Sequence, residues 1–208
     1  GSTPAYVAGY DRGLDGYDIV EWIAQQSWSD GKIGTYGGSA LGKIQFETAK
    51  EQPPHLVCCV PLVANPQMTY LEYFPGGVYR TEYVEQLDNL GFGFSTWLLS
   101  NHFYNLQWQF VENSTFYPSS INVPFFMIGG WYDHTIDQML IFFNALQQSP
   151  TASQHKLLMG PWVHGGHGIS QVGSSQQGEL FFYNASNWND SLSLRFFDFY
   201  LKNVNNGW

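Results

Sequence analysis

The sequence predicts an α/β fold: a mostly parallel sheet with helices on both faces, interrupted by one helical insertion. Three observations predict it. Short apolar runs of strand length alternate with segments of helical periodicity over most of the chain. One of these runs, Leu56 to Val63, is apolar throughout, as expected of a parallel strand buried on both faces. Between residues 66 and 120 the alternation stops and aromatic residues crowd together. At 208 residues the chain is long enough for one sizeable core with a little to spare.

Taken in order, residues 15–26 place Ile19, Val20, Trp22 and Ile23 on one helical face, with Asp15 as N-cap. A turn follows, then a short strand from Lys32 to Tyr36 and a glycine turn. Helical spacing returns from Ala40 to Lys50 and stops at Pro53-Pro54. After the strand over 56–63 comes the insertion, with a Pro-Gly-Gly turn at 75–77 and helical spacing at Tyr83, Leu87 and Leu90. The second half repeats the rhythm: strand Pro124 to Ile128, helix Thr135 to Gln147, strand His155 to Met159. A glycine-rich loop, Gly160 to Gly178, and a last helix over 192–201 complete it. The chain therefore divides into a first core part (1–65), a helical cap insertion (66–120) and a second core part (121–208).

Composition narrows the function. Only 8 Lys and Arg face 17 Asp and Glu, and no basic run stands out, so neither nucleic acid nor an anionic membrane is an expected partner. No apolar stretch approaches the ~18–20 residues that span a bilayer. Charged residues make up 12% of the chain and aromatics 18%, which suits an aromatic-lined pocket or a domain that buries surface against a neighbour. The adjacent Cys58 and Cys59 lie within a strand, where neighbours point to opposite faces, so they read as buried apolar residues and not as a disulfide.

The residues that carry chemistry sit at strand ends. Tyr36-Gly37-Gly38-Ser39-Ala40-Leu41-Gly42 lies between a predicted strand and a predicted helix. A serine at such a tight turn is held in strained backbone geometry with its hydroxyl exposed. The Ala40 N–H, at the helix start, points toward a developing oxyanion. The spacing is G-x-S-x-x-G, whereas the common elbow is G-x-S-x-G, and the same pattern also serves as an ordinary helix cap. Two later strands change the balance: Val123 to Asp133 ends in Gly-Gly-Trp-Tyr-Asp, and Leu157 to His164 ends in Gly-Pro-Trp-Val-His. Strands of a parallel sheet share one carboxyl edge, and active sites form there. The order Ser39, Asp133, His164 is that of nucleophile-elbow hydrolases.

Rivals exist for each role. His167 competes with His164 as base, and Asp137 competes with Asp133 as acid. His134 either lines the pocket or is solvated. Trp131, Tyr132 and Trp162 are candidate pocket walls, or else strand-end packing. Tyr70, Tyr73, Phe74 and Tyr79 stand in the same position within the insertion, and Tyr73 is kept as a candidate substrate contact. His164 and His167 form a His-x-x-His pair, but no third ligand has convincing spacing, so no metal and no cofactor is expected.

The segments DGYDIVEWIAQQSWSDGKIGTYGGSALG, VPFFMIGGWYD and GPWVHGGHG resemble the cocaine esterase and X-Pro dipeptidyl-peptidase family, which includes α-amino-acid ester hydrolases and cephalosporin acylases. The resemblance spans nearly all of the chain outside 66–120. It implies an α/β-hydrolase core, Ser39 as nucleophile, Asp133 as acid and His164 as base, acting on a small ester, amide or peptide. Two departures stand out. Ala40 occupies a position where the family usually has Tyr, and the family's second oxyanion donor, a tyrosine hydroxyl, belongs to a segment upstream of this sequence. The resemblance thus implies a core incomplete on its N-terminal side and without the family's C-terminal β-sandwich. It implies with that an exposed sheet edge open to self-association, which the aromatic, charge-poor composition also suits. That leaves a non-catalytic or partner-completed module as the alternative to an enzyme. Asn65 falls where family members that bind a free α-amino group present an acid, which argues against amino-acid ester specificity.

Overall fold

The computed structural model describes residues 12–165 and 172–208. Four parallel strands form the sheet in the order β1 (Ile33–Gly38), β2 (Leu56–Leu62), β3 (Phe126–Gly130), β4 (Lys156–Gly160). Pairing brings Gly38 opposite Leu62, Leu62 opposite Ile128, and Gly130 opposite Gly160, which aligns the four carboxyl ends. Between strands run α2 (Ala40–Lys50) and α7 (Ile136–Leu146), with α1 (Arg12–Ala24) before the sheet and α8 (Trp188–Lys202) after it.

Alternation along β2 and β3 explains why both faces are covered. Cys58, Val60, Leu62, Phe126 and Ile128 form one buried cluster with Trp162 and Phe196, and Phe197, Tyr200 and Leu201 of α8 pack against it. On the opposite face Phe46 of α2 lies 4.9 Å from the Phe125 ring and 5.3 Å from the ring of Phe142 in α7. Phe46, Phe125 and Phe142 are all fully buried. Each such side chain contributes about 1.5–3 kcal/mol on removal from water. Cys58 and Cys59 are buried free thiols, as the sequence indicates. Burial pushes the Cys59 thiol up to about 12, so neither sulfur is primed as a nucleophile.

Several boundaries differ from the sequence reading. The first helix runs over Arg12–Ala24, so Asp15 lies inside its first turn and not at the N-cap. Its predicted apolar face is only partly used: Val20 is buried, but Ile19 and Trp22 are 58% and 60% exposed. Glycine decides the orientation. A Cβ on Gly16 would stand 1.9 Å from Thr48 Oγ1, so α1 meets α2 backbone-first along its small residues. The last helix begins four residues earlier than its apolar spacing shows, and β1 continues to Gly38. The glycine-rich loop contains a small hairpin, β5 (Gln176–Gln177) with β6 (Leu180–Phe181).

Residues 67–117 form a separate compact unit between β2 and β3. Its helices are short: α3 (Tyr70–Tyr73), α4 (Thr81–Asn89), α5 (Ser95–Ser100) and α6 (Leu106–Ser114). Helices of this length do not persist alone in water. Here an aromatic core of Tyr73, Phe74 and Trp108, with Val84 and Leu98, holds them. The α6 start is capped by Asn105, whose side-chain oxygen accepts from Gln107 N and Trp108 N. Among the described residues no helix is long and apolar enough to cross a membrane.

Candidate active site

The serine turn is built from two close approaches and one strained residue. Ser39 has φ 56° and ψ −123°, a conformation non-glycine residues rarely adopt. Its N–H donates to Leu62 O (3.0 Å), and its own carbonyl accepts from Gly42 N and Lys43 N at 2.9 Å. A Cβ on Gly42 would lie 2.5 Å from Ala64 Cβ and 3.1 Å from both Gly37 O and Leu62 O. Glycine at 42 therefore lets α2 start directly over the strand ends, which is why the spacing here is G-x-S-x-x-G. Ser39 and Ala40 are both exposed. Ala40 is the first residue of α2, so its N–H is among the four that a helix leaves without an intrahelical partner.

Asp133 and His164 meet because β3 and β4 stay paired past their ends. Trp131 N donates to Gly160 O (2.9 Å) and Tyr132 N to Trp162 O (3.1 Å). Any side chain on Gly130 would collide with Trp162 O, at 1.9 Å, so glycine is required for this crossing. His164 Nδ1 then lies 2.9 Å from Asp133 Oδ1, and Nε2 lies 2.9 Å from Ser39 Oγ. The contacts use opposite ring nitrogens, so one imidazole links carboxylate to hydroxyl.

Electrostatics follow from burial. The Asp133 side chain is 1% exposed, and desolvation alone would raise its pKa. Hydrogen bonding and charge from His164, with Thr135 and His134, outweigh that and hold the carboxyl below its usual range. Thr135 Oγ1 donates to Asp133 Oδ2 at 2.5 Å and Thr135 N to Oδ1 at 3.3 Å, which fixes the carboxylate plane.

The other candidates separate cleanly. Asp137 is exposed in the first turn of α7, and His167 lies outside the described residues. Trp131 and Tyr132 are 60% and 55% exposed beside Asp133, and the Tyr132 ring lies 6.0 Å from that of Phe182. Trp162 is 1% exposed and donates to Ala185 O, a packing position. Tyr73 is 3% exposed, and its ring packs near those of Tyr83, Phe94 and Trp108 in the core of its own unit. Asn65 is buried, and its side-chain oxygen has no hydrogen-bond partner among the described residues.

Two supporting residues escaped the sequence reading, and a third had two readings there. Gln45, 3% exposed, reaches back from α2 to donate toward Gly37 O, Leu41 O and Val60 O and receives Thr35 Oγ1. It braces strand against turn, and the signal was a polar residue on the helix face shared by Gly42, Phe46 and Ala49. Gln177 accepts from Val163 N (3.0 Å), so the small hairpin holds the segment bearing His164. His134, either pocket-lining or solvated from sequence, sets its ring 4.6 Å from that of His164 at an interplanar angle of 40°.

A parallel sheet with helices on both faces and a serine, a histidine and an aspartate in hydrogen-bond contact at its carboxyl edge define an α/β hydrolase. Residues 2–96 and 78–166 match the X-Pro dipeptidyl-peptidase (S15) family, and the chain belongs to it. Over 82 residues it is 30% identical to the cocaine esterase of Rhodococcus sp. (strain MB1 Bresler), a stretch that is 39% of this chain and 14% of that enzyme. An aminopeptidase from a marine sediment Thaumarchaeota archaeon shares the fold at TM-score 0.71 and 20% identity, over 98% of this chain and 40% of the aminopeptidase. An α-amino acid ester hydrolase matches at TM-score 0.66 and 17% identity, over 96% and 39%. A CocE/NonD family hydrolase from Staphylococcus aureus matches at 0.59 and 22%, over 98% and 35%. The chain thus spans well under half of these relatives.

Proposed function

We propose that this chain carries the catalytic centre of a serine hydrolase that cleaves an ester or amide bond through an acyl-enzyme. One observation carries the reading: His164 contacts Asp133 and Ser39 through opposite nitrogens, each at 2.9 Å. His164 takes the Ser39 proton as Oγ attacks the acyl carbon, then gives it to the leaving alcohol or amine. Asp133 keeps the proton on Nδ1, so that Nε2 is free to accept, and stabilises the imidazolium. Water then enters along the same route and releases the acid. The Ala40 N–H faces the developing oxyanion. Trp131 and Tyr132, exposed beside Asp133, are pocket walls for an apolar part of a small ester, amide or peptide substrate.

The test is turnover of a chromogenic ester, with a fluorophosphonate probe to tag the nucleophile. Ser39→Ala should lose at least ~10³-fold in kcat and all labelling, with an unchanged melting temperature. Equal turnover by the variant would refute the assignment.

A second reading has one observation in its favour. Among the described residues β1 pairs only with β2, and Tyr36 within β1 is 48% exposed. An open edge of this kind accepts a further strand. The chain would then act as a partner-completed module, seen as self-association in size-exclusion measurements together with Ser39-independent background turnover.

A further inference from the structure

We propose that Asp133, His134 and His164 form an inhibitory binding site for zinc or a cation of like chemistry. One ligand atom from each of the three lies within 4.8 Å of the others. Asp133 Oδ1 is 2.9 Å from His164 Nδ1 and 3.4 Å from His134 Nδ1. Zinc bonds of about 2.0–2.2 Å at tetrahedral angles place neighbouring ligand atoms about 3.3–3.6 Å apart. The two spacings from Asp133 are therefore already close to those of a coordination shell, and the third lies within 4.8 Å. Two imidazoles and one carboxylate suit zinc and not magnesium or calcium, which prefer oxygen shells. The two imidazoles are 25% and 26% exposed above a carboxylate that is 1% exposed, so the ion has an approach from solvent. Thr135 holds the carboxylate from behind, as outer groups do in metal sites.

Inhibition follows from the tautomer, and this half of the proposal rests on the base role assigned to His164. Without the metal, Nδ1 carries the proton and Nε2 accepts from Ser39. Zinc takes the Nδ1 lone pair, so the proton of the neutral ring moves to Nε2. That nitrogen then donates to Ser39 Oγ and can no longer deprotonate it. No bond to substrate is involved, and removing the ion reverses the change.

The binding half is tested without activity. After treatment with EDTA, the chain is titrated with Co²⁺ and its visible d–d absorption followed. Bands should appear in the wild type and in Ser39→Ala alike, and Zn²⁺ should displace them. His134→Phe, which keeps a ring against His164, and His134→Asn should each weaken cobalt binding at least ~10-fold. Absence of bands in the wild type, or unchanged affinity in both variants, would overturn the site. In the ester assay Zn²⁺ should suppress turnover, EDTA should restore it, and both His134 variants should need at least ~10-fold more Zn²⁺ for half-suppression. Bands with zinc-insensitive turnover would overturn the inhibitory role. Bands in a chain with no metal-free turnover would uphold the site while refuting the hydrolase reading.

Discussion

In the unit that holds the sheet, Phe46 of α2 meets Phe125 and the Phe142 ring of α7, on a sheet face whose side chains are set by strand register and alternation. In the unit formed by residues 67–117, Trp108 instead gathers Trp97, Tyr70, Tyr73 and Phe74 within ring-centroid distances of 4.7–6.3 Å, with no sheet to set a register. The first region is specified by backbone hydrogen bonding with side chains filling what it leaves. The second is specified by side chains, and its helices of four to nine residues follow from their packing. Chemistry that needs three groups in place to within about half an ångström belongs on the first kind of scaffold.

Removing the centre of the second region should break this contrast most sharply. Trp108 is fully buried, and its indole N–H donates to Asn101 O at 2.7 Å. Trp108→Ala should cost about 3–5 kcal/mol. Hydrogen exchange should then quicken across residues 70–114 while β2 and β3 amides stay protected. Equal loss of protection in β2 and β3 would show that the two regions do not differ in the way described.

Acid should act the other way, on the sheet. His155 is 2% exposed, accepts from Phe125 N through Nδ1 and meets Thr151 Oγ1 through Nε2, which joins the starts of β3 and β4. Burial, with the nearby Lys156 charge, lowers its pKa from 6.5 to about 4. A folded value below the unfolded one means that the unfolded chain binds protons first. Stability contributed by the neutral ring is complete above pH ~6.5 and is lost as the pH falls toward 4, by about 3 kcal/mol. Urea midpoints measured at pH 7 and 4.5 should show this, and His155→Gln should flatten the difference. A variant with the same pH slope would remove His155 from the account.

The smallest effect concerns the serine turn. Gly42→Ala must push Ala64, Gly37 and Leu62 apart and should cost about 1–3 kcal/mol. Gly38→Ala, whose Cβ would find its nearest neighbour at 3.5 Å, should cost less. A reversed order, read from melting curves, would mean that steric approach is not what places Ser39.

The same division explains what could be read in advance. The α2 boundaries, Ala40 to Lys50, and the β2 strand from Leu56 are plain in the sequence, because glycine, proline and a wholly apolar run mark them. Ser39, Asp133 and His164 were legible for a related reason: each follows a strand end marked by glycine, and a parallel sheet gathers strand ends. The outward turn of Ile19 and Trp22 was not legible, since it depends on a glycine contact with Thr48 that lies on another helix. Gln45 and Gln177 were missed, and the His134 alternatives stayed open, for want of tertiary partners in a linear reading. The aromatic unit gave the weakest signal, because ring packing has no period.

Ser39 holds a backbone conformation that glycine would adopt at lower cost, and Val63, one residue beyond the end of β2, does the same at φ 42°. Selection for heat resistance alone would favour drift toward glycine at position 39, whereas Val63 is 4% exposed in the sheet core and its loss would cost packing. At position 39 that drift would discard the hydroxyl. Endurance and the hydroxyl therefore make opposite demands on one residue.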